Sequence, residues 1–391
     1  MKHKLIFITE ALWVGGIESA LCNLLNRLDY DRYDVTCLIL RDCRDLAGRL
    51  PPQCRLLVAD RQHAVSFPEP YRHRRLFNLM EEPQHASRLR RLIWHGLRLF
   101  LRAPEARLYA AYVEKQLNGE HFDTAVIYSD RAAETAVRAI RADRFLMFYH
   151  HGAMRREYHD ELGYHRAEKV IAVSEALAKK LREYRPRYAQ KIIAVNNLID
   201  VAGVREKSLE MPETVFPKDC FNIVSCGRLA PAKGMDLAIA ACAKLVNDGL
   251  TDIRWWIVGG GPEETSLRAQ IRALGVERYV TLQGMQDNPY SYIRQANLYV
   301  QPSRFEAFGL TVLEAQVLAV PVLSTETDGS VELISNKENG WLCQPDAQSI
   351  ADGVERLYRD PALRQQFRRA QASHDFEADN AAILQQLYTL F

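Results

Sequence analysis

The chain has 391 residues, 48% of them hydrophobic and 26% charged, and a net charge of +2. Those proportions exclude a disordered, collagenous or multiply membrane-spanning protein, and the length exceeds what one core ordinarily fills, so two domains are expected. The small net charge hides an asymmetry, 33 Lys and Arg against 24 Asp and Glu over residues 1–199 and 18 against 25 thereafter, which implies that the halves face different partners.

Residues 4–9 (KLIFIT) form a short apolar run that leads into Gly15-Gly16 and then into Ile17, Ala20, Leu21, Leu24, Leu25 and Leu28 at helical spacing. The pattern is strand, glycine loop, helix. Glu10 interrupts the apolar run, and no stretch approaches the roughly 18 apolar residues of a spanning helix, so neither a signal peptide nor a membrane span is expected and the cytoplasm is the expected compartment. Further short β runs follow at 34–40, 55–58, 123–128, 145–149 and 169–173, with helical patterns between several of them, which predicts a parallel α/β sheet.

A second series begins after IIAVNNLI at 192–199 and a charged, Pro-containing stretch at 205–219. Its strand candidates are 221–226, 254–258, 279–282, 297–301 and 320–323, each leading through a loop into a helical pattern. The expectation is therefore two doubly wound domains, 1–199 and 200–375, with a final helix at 376–391 that packs back on the first domain. The eight cysteines form no CxxC pair and mostly sit among apolar neighbours, so neither disulfides nor zinc are expected.

Three stretches carry residues suited to chemistry. Arg228 and Lys233, in GRLAPAKG at 227–234, follow a strand and project cations where a doubly wound sheet binds ligands; a fork and a point charge together suit a diphosphate, although a solvated loop would read the same way. Gly259-Gly260-Gly261-Pro262-Glu263 allows close backbone approach before a helix and matches neither the dinucleotide fingerprint nor the P-loop; it could be only a tight turn. In SRFEAFGLTVLEA at 303–315, Phe308-Gly309-Leu310 opens a helix whose free N–H groups favour anionic or hydroxyl-rich ligands. Glu306 and Glu314 flank that turn and can accept hydrogen bonds from sugar hydroxyls; alternatively they only complement the helix dipole.

These three stretches, in this order, resemble glycosyltransferase family 4, the retaining, nucleotide-sugar-dependent enzymes of the GT-B fold, in the form found in bacterial surface-polysaccharide synthesis. The likeness extends through GGIESAL at 15–21, YHHGAM, KVIAVSEALAKKL and VNNLID, so it covers nearly the whole chain. It implies two Rossmann-like domains facing a central cleft, acceptor on the N-terminal side and donor on the C-terminal side. By the same resemblance, Arg228 and Lys233 hold the donor diphosphate and stabilise the leaving group, Glu314 binds the ribose, and Glu306 faces the transferred sugar. Gly259 and Gly260, the backbone N–H groups of Phe308, Gly309 and Leu310, and Gly16 of the first loop would complete the donor site. His151, directly before Gly152, is the favoured match to the family's cleft histidine, with the adjacent His150 leaving that assignment open.

The implied donor is a UDP-sugar carrying a hexose-type unit, the acceptor a glycan or lipid-linked glycan, and no metal or other cofactor is expected. One departure is Gly329-Ser330-Val331-Glu332, where many relatives carry two glycines before the glutamate. Asp29-Tyr30-Asp31 spells the DxD of metal-dependent transferases but follows the first helix, so it reads as a turn. Residues 72–107 hold nine arginines, three glutamates and no lysine beside a cluster of Leu, Trp and Phe. Such a basic amphipathic stretch suits an anionic membrane surface at the inner face of the plasma membrane, or else a helix packed on the first domain with a solvated basic face. No nucleic-acid motif accompanies the charge. The rival readings are a sugar-nucleotide epimerase of the same fold and a non-catalytic GT-B scaffold.

Overall fold

The computed structural model describes residues 2–60, 107–152, 154 and 161–391. The basic segment expected at 72–107 lies, but for Arg107, outside the described residues. Two parallel sheets organise the chain. The first has the order β3-β2-β1-β4-β5-β6-β7, built from β1 (His3–Thr9), β2 (Tyr33–Ile39), β3 (Arg55–Val58), β4 (His121–Ile127), β5 (Arg141–Tyr149), β6 (Lys169–Ala172) and β7 (Ile192–Ala194). The second runs β10-β9-β8-β11-β12-β13, from β8 (Phe221–Cys226), β9 (Ile253–Val258), β10 (Val280–Gly284), β11 (Leu298–Gln301), β12 (Val322–Thr325) and β13 (Trp341–Cys343).

Helices cover both faces of each sheet, which is why Leu5, Ile6, Phe7 and Ile8 form an uninterrupted buried run. Strand order reverses between β1 and β4 and again between β8 and β11. At such points the loops leaving adjacent strands diverge and open a crevice beyond their carboxyl ends. In one domain the crevice is bordered by residues 10–18 and 128–131, in the other by 227–234 and 302–310.

The final helix, Phe376–Tyr388, lies against the first domain. Arg27 donates to both Glu377 oxygens at 2.7 and 2.8 Å, and the Tyr388 hydroxyl accepts the Asp29 N–H at 3.0 Å while its ring stacks on Tyr33. Asn380, 2% exposed, accepts the Ile199 N–H at 3.0 Å and donates to the Ile199 carbonyl at 2.9 Å. The connection between the sheets is thus held by a helix that arrives from the far end of the chain. Among the described residues no helix is long and apolar enough to cross a membrane.

Asn380→Ala strips both partners from a buried backbone amide and is expected to destabilise the protein by roughly 1–3 kcal/mol, read as a lower denaturant midpoint at unchanged slope.

Candidate active site

The loops at the second crevice are tied to one another by backbone hydrogen bonds. Leu229 N–H donates to the Gly260 carbonyl at 2.9 Å, Glu263 N–H to the Leu229 carbonyl at 3.1 Å, and Arg304 N–H to the Ala232 carbonyl at 2.8 Å. Gly234 has φ +65°, and a methyl added there would overlap the Pro302 carbonyl, so only glycine lets the 231–234 turn lie so close to the end of β11. Arg304 clamps the same region by donating to both Asp236 oxygens at 2.7 Å, which holds that carboxyl below its ordinary range.

This scaffold brings Lys233 and Glu306 together at 2.6 Å. Ser303 Oγ donates to the same Glu306 oxygen at 3.2 Å, and behind it Gln301 Nε2 donates to Ser303 Oγ at 2.7 Å. Tyr299 and Thr311 hydroxyls donate to Gln301 Oε1 at 2.6 and 2.9 Å. A satisfied polar chain fixes the carboxylate's orientation from inside the domain. Just beyond Glu306, the helix Leu310–Val317 opens at Gly309, with Phe308 4% exposed and Leu310 9% exposed. Glu314, one turn in, is 8% exposed; Tyr290 donates to it at 3.2 Å, and burial raises its carboxyl to about 7 against the opposing charge of Arg49.

Arg49 belongs to the first domain, where it donates to Asn23 Oδ1 at 3.2 Å and Ser19 Oγ at 3.4 Å. A second cross-domain relation has the opposite polarity. Glu18, 5% exposed in the first turn of the helix Gly16–Leu25, is raised to about 7 by burial and by Glu10, while Arg131 and Arg228 pull it down. Arg228 is an exposed side chain on the 227–234 loop, and the space beside Gly16 is open.

The two histidines separate sharply. His150 packs against the rings of Tyr128 and Phe148, at 4.7 and 5.7 Å, and burial lowers it to about 3. His151 turns toward the crevice side, its Nε2 3.0 Å from Oδ1 of buried Asp130. The following Gly152 touches the other domain: a methyl there would meet the Glu306 and Ala307 backbone at 3.1 Å. His151 therefore sits beside the Glu306 loop.

Of the residues singled out in the sequence, Lys233, Glu306, Phe308, Gly309, Leu310 and His151 converge where the two domains meet. Gly259 and Gly260 line up behind Leu229, Arg228 and Gly16 lie toward Glu18, and Glu314 faces Arg49. Ser330 is turned inward, donating to the Thr325 carbonyl at 2.7 Å and accepting the Thr327 N–H at 2.8 Å. Its neighbour Glu332 crosses to the first domain and accepts the Ala176 N–H at 2.7 Å, next to an ion pair between Asp328 and Lys180. Asp29 Oδ1 accepts the N–H groups of Asp31 and Arg32 at 2.9 and 3.3 Å, so the DYD triplet forms a turn. Sequence reasoning passed over Glu18, Arg49, Asp130 and Tyr290. Glu18 lies inside the GGIESAL run, whereas nothing local marks Arg49.

Comparison with known proteins follows the same division. Residues 206–374 match the family model for glycosyl transferases, group 1. The alpha-D-kanosaminyltransferase of Streptomyces kanamyceticus is 33% identical over 42% of this chain and 43% of its own length. The N-acetylgalactosamine-N,N'-diacetylbacillosaminyl-diphospho-undecaprenol 4-alpha-N-acetylgalactosaminyltransferase of Campylobacter jejuni is 30% identical over 52% of this chain and 54% of its own. The chain thus spans about half the length of these curated relatives. Anabaena HepE, solved in complex with UDP, superposes over 100% of both chains with a TM-score of 0.70 at 18% identity, which establishes the GT-B fold.

Glu314 keeps its proton in the folded protein up to about pH 7, while an unfolded carboxyl releases it near 4.5, so stability falls as pH rises through that window. Glu18 has the same sign. Glu314→Gln, uncharged throughout, should flatten part of the loss in melting temperature between about pH 5 and about pH 8, on the order of 3 kcal/mol at most. Parallel curves for parent and variant would show that Glu314 is already ionised when buried.

Proposed function

We propose that this chain, a group 1 glycosyl transferase by its residues 206–374, moves a hexose-type sugar from a nucleoside diphosphate, UDP in the first instance, to a glycan or lipid-linked acceptor in bacterial polysaccharide synthesis. The observation that carries the reading is the Lys233–Glu306 pair, set beside a helix N-terminus, with Gly152 of the other domain against the Glu306 backbone. Lys233 and Arg228 supply the cations that a departing diphosphate needs, in a crevice where water is displaced and such charges act strongly. The helix opening at Gly309 adds N–H groups aimed at the same anion. On this reading these groups replace a metal ion, and the transfer proceeds without one.

Glu306 is positioned to accept hydroxyls of the transferred sugar, and Glu314 those of the ribose. A hydrogen-bond donor arriving at Glu314 would favour its ionised form over the protonated state that burial favours. His151, oriented by Asp130, would meet the sugar from the acceptor side. We further assign a retaining course, in which the acceptor attacks the face from which the nucleoside diphosphate departs and the leaving phosphate takes the acceptor proton. UDP is favoured because HepE was solved with it, and a lipid-linked acceptor because the Campylobacter relative's name specifies one. Such an acceptor would place the protein at the inner face of the plasma membrane, with the basic segment 72–107 toward the lipid.

A panel of nucleotide sugars followed by thermal stabilisation tests the donor assignment, since a bound donor raises stability by mass action. At least one UDP-sugar should shift the melting temperature, and a flat response to every donor by the folded protein would favour a non-catalytic scaffold. Lys233→Ala and Arg228→Ala should each lower turnover by about 10²–10³-fold, with Asp31→Ala and added chelator leaving it unchanged. Equal loss in all three variants would place the site elsewhere. Product with the anomeric configuration opposite to the donor's, seen by NMR, would refute retention.

A further inference from the structure

A cavity of about 450 Å³ lies on the other side of the Phe308 loop. Its walls come from the connection at 196–199, the helix Leu310–Val317, the stretch 332–339 and the last two helices. Arg228, Lys233, Glu306, Glu314 and His151 are not part of its lining, so it is distinct from the crevice described above. The volume falls within the range of small-molecule sites, which combine apolar walls with a few convergent polar groups.

Both kinds of wall are present. Phe308 and Phe376 are buried aromatic rings bordering the space. Gln371 is 2% exposed; its amide nitrogen donates to the Asn339 carbonyl at 2.9 Å, and its Oε1 has no hydrogen-bond partner. Asn197 is 8% exposed, and its side chain makes no hydrogen bond to any described residue. An acceptor buried without a donor is unfavourable by about 1–3 kcal/mol, so the site favours a molecule that brings one. The charged groups at the rim are already engaged: Glu332 accepts the Ala176 N–H, and Asp379 lies 2.6 Å from His374 Nε2. Among the described residues no Lys or Arg lines the cavity and His374 is taken by Asp379, so an anionic ligand would find no free cation there.

We propose that this cavity binds a neutral, polyhydroxylated molecule about the size of one sugar ring. Its hydroxyls donate to Gln371 Oε1 and bond the Asn197 amide, and its C–H face lies against Phe308 and Phe376. Such a molecule touches the interdomain connection, the back of the 306–310 loop and the final helix at once, so occupancy favours the domain arrangement seen here. The proposal concerns binding and does not depend on the transfer reaction.

Titration calorimetry on the full chain without nucleotide, using glucose, galactose and myo-inositol as probes, tests it. The first two probe a sugar ring and the third a purely carbocyclic polyol. Saturable heat from at least one probe is expected, weakened about tenfold in Gln371→Leu and in Asn197→Leu, with Lys233→Ala binding as the parent does. No heat from any probe up to about 50 mM overturns the proposal. So does binding that survives both cavity variants, or that Lys233→Ala abolishes. A crystal soaked in the binding probe decides the matter without variants: density in this cavity supports the proposal, and density only in the crevice overturns it.

Discussion

The contact between the Lys233 ammonium and the Glu306 carboxylate occurs where the second sheet reverses its strand order, and most of the surrounding structure serves to put those two groups there. They lie 73 positions apart in sequence and meet because β8 and β11 are neighbours whose following loops leave in opposite directions. A half-buried ion pair of this kind contributes little to stability unless its geometry is fixed by other bonds. Here it is fixed twice, by the buried chain from Tyr299 through Gln301 and Ser303 and by the Arg304 clamp on Asp236. Under the proposed function the pair has a second merit, because an arriving sugar diphosphate can take the ammonium while a sugar hydroxyl takes the carboxylate.

The first domain answers the second across the gap with opposite charges. Glu18 lies within the influence of Arg228, Arg49 within that of Glu314, and Glu332 reaches over to the start of the helix Glu175–Tyr184. Gly152 lies against the Glu306 and Ala307 backbone of the second domain. Apolar packing accompanies these polar relations, since Ala307, Phe308, Leu310, Leu313 and Val317 join the first domain's buried cluster, and the final helix ties the two halves through Arg27, Ile199 and Tyr388. Burial raises both Glu18 and Glu314 to about 7, so a ligand that brings matching donors would favour their ionised forms.

Much of the fold could be read in advance because parallel strands buried on both faces appear as plain apolar runs. Two strands escaped, β7 and β13, each of three residues at a sheet edge and too short to show any period. β5 begins at Arg141, earlier than expected, because Arg141, Ala142, Asp143 and Arg144 alternate in exposure and look polar in sequence. Residues 228, 233, 306 and 314 stood out because charges beside glycine turns after apolar runs are conspicuous. Arg49 did not, since it ends a single 3-10 turn, Ala47–Arg49, and acquires meaning only from Glu314 opposite.

By itself the sequence determined the alternation of strands and helices and the chemical types gathered in each loop, since periodicity and turn chemistry are local properties. The tertiary structure alone decided that His150 is enclosed by aromatic rings while His151 reaches the crevice, that Asp130 orients it, and that Glu314 loses its solvent. Burial and electrostatic pairing are set by what lies opposite in space, and adjacent residues on a chain can be assigned opposite environments by one turn of the backbone.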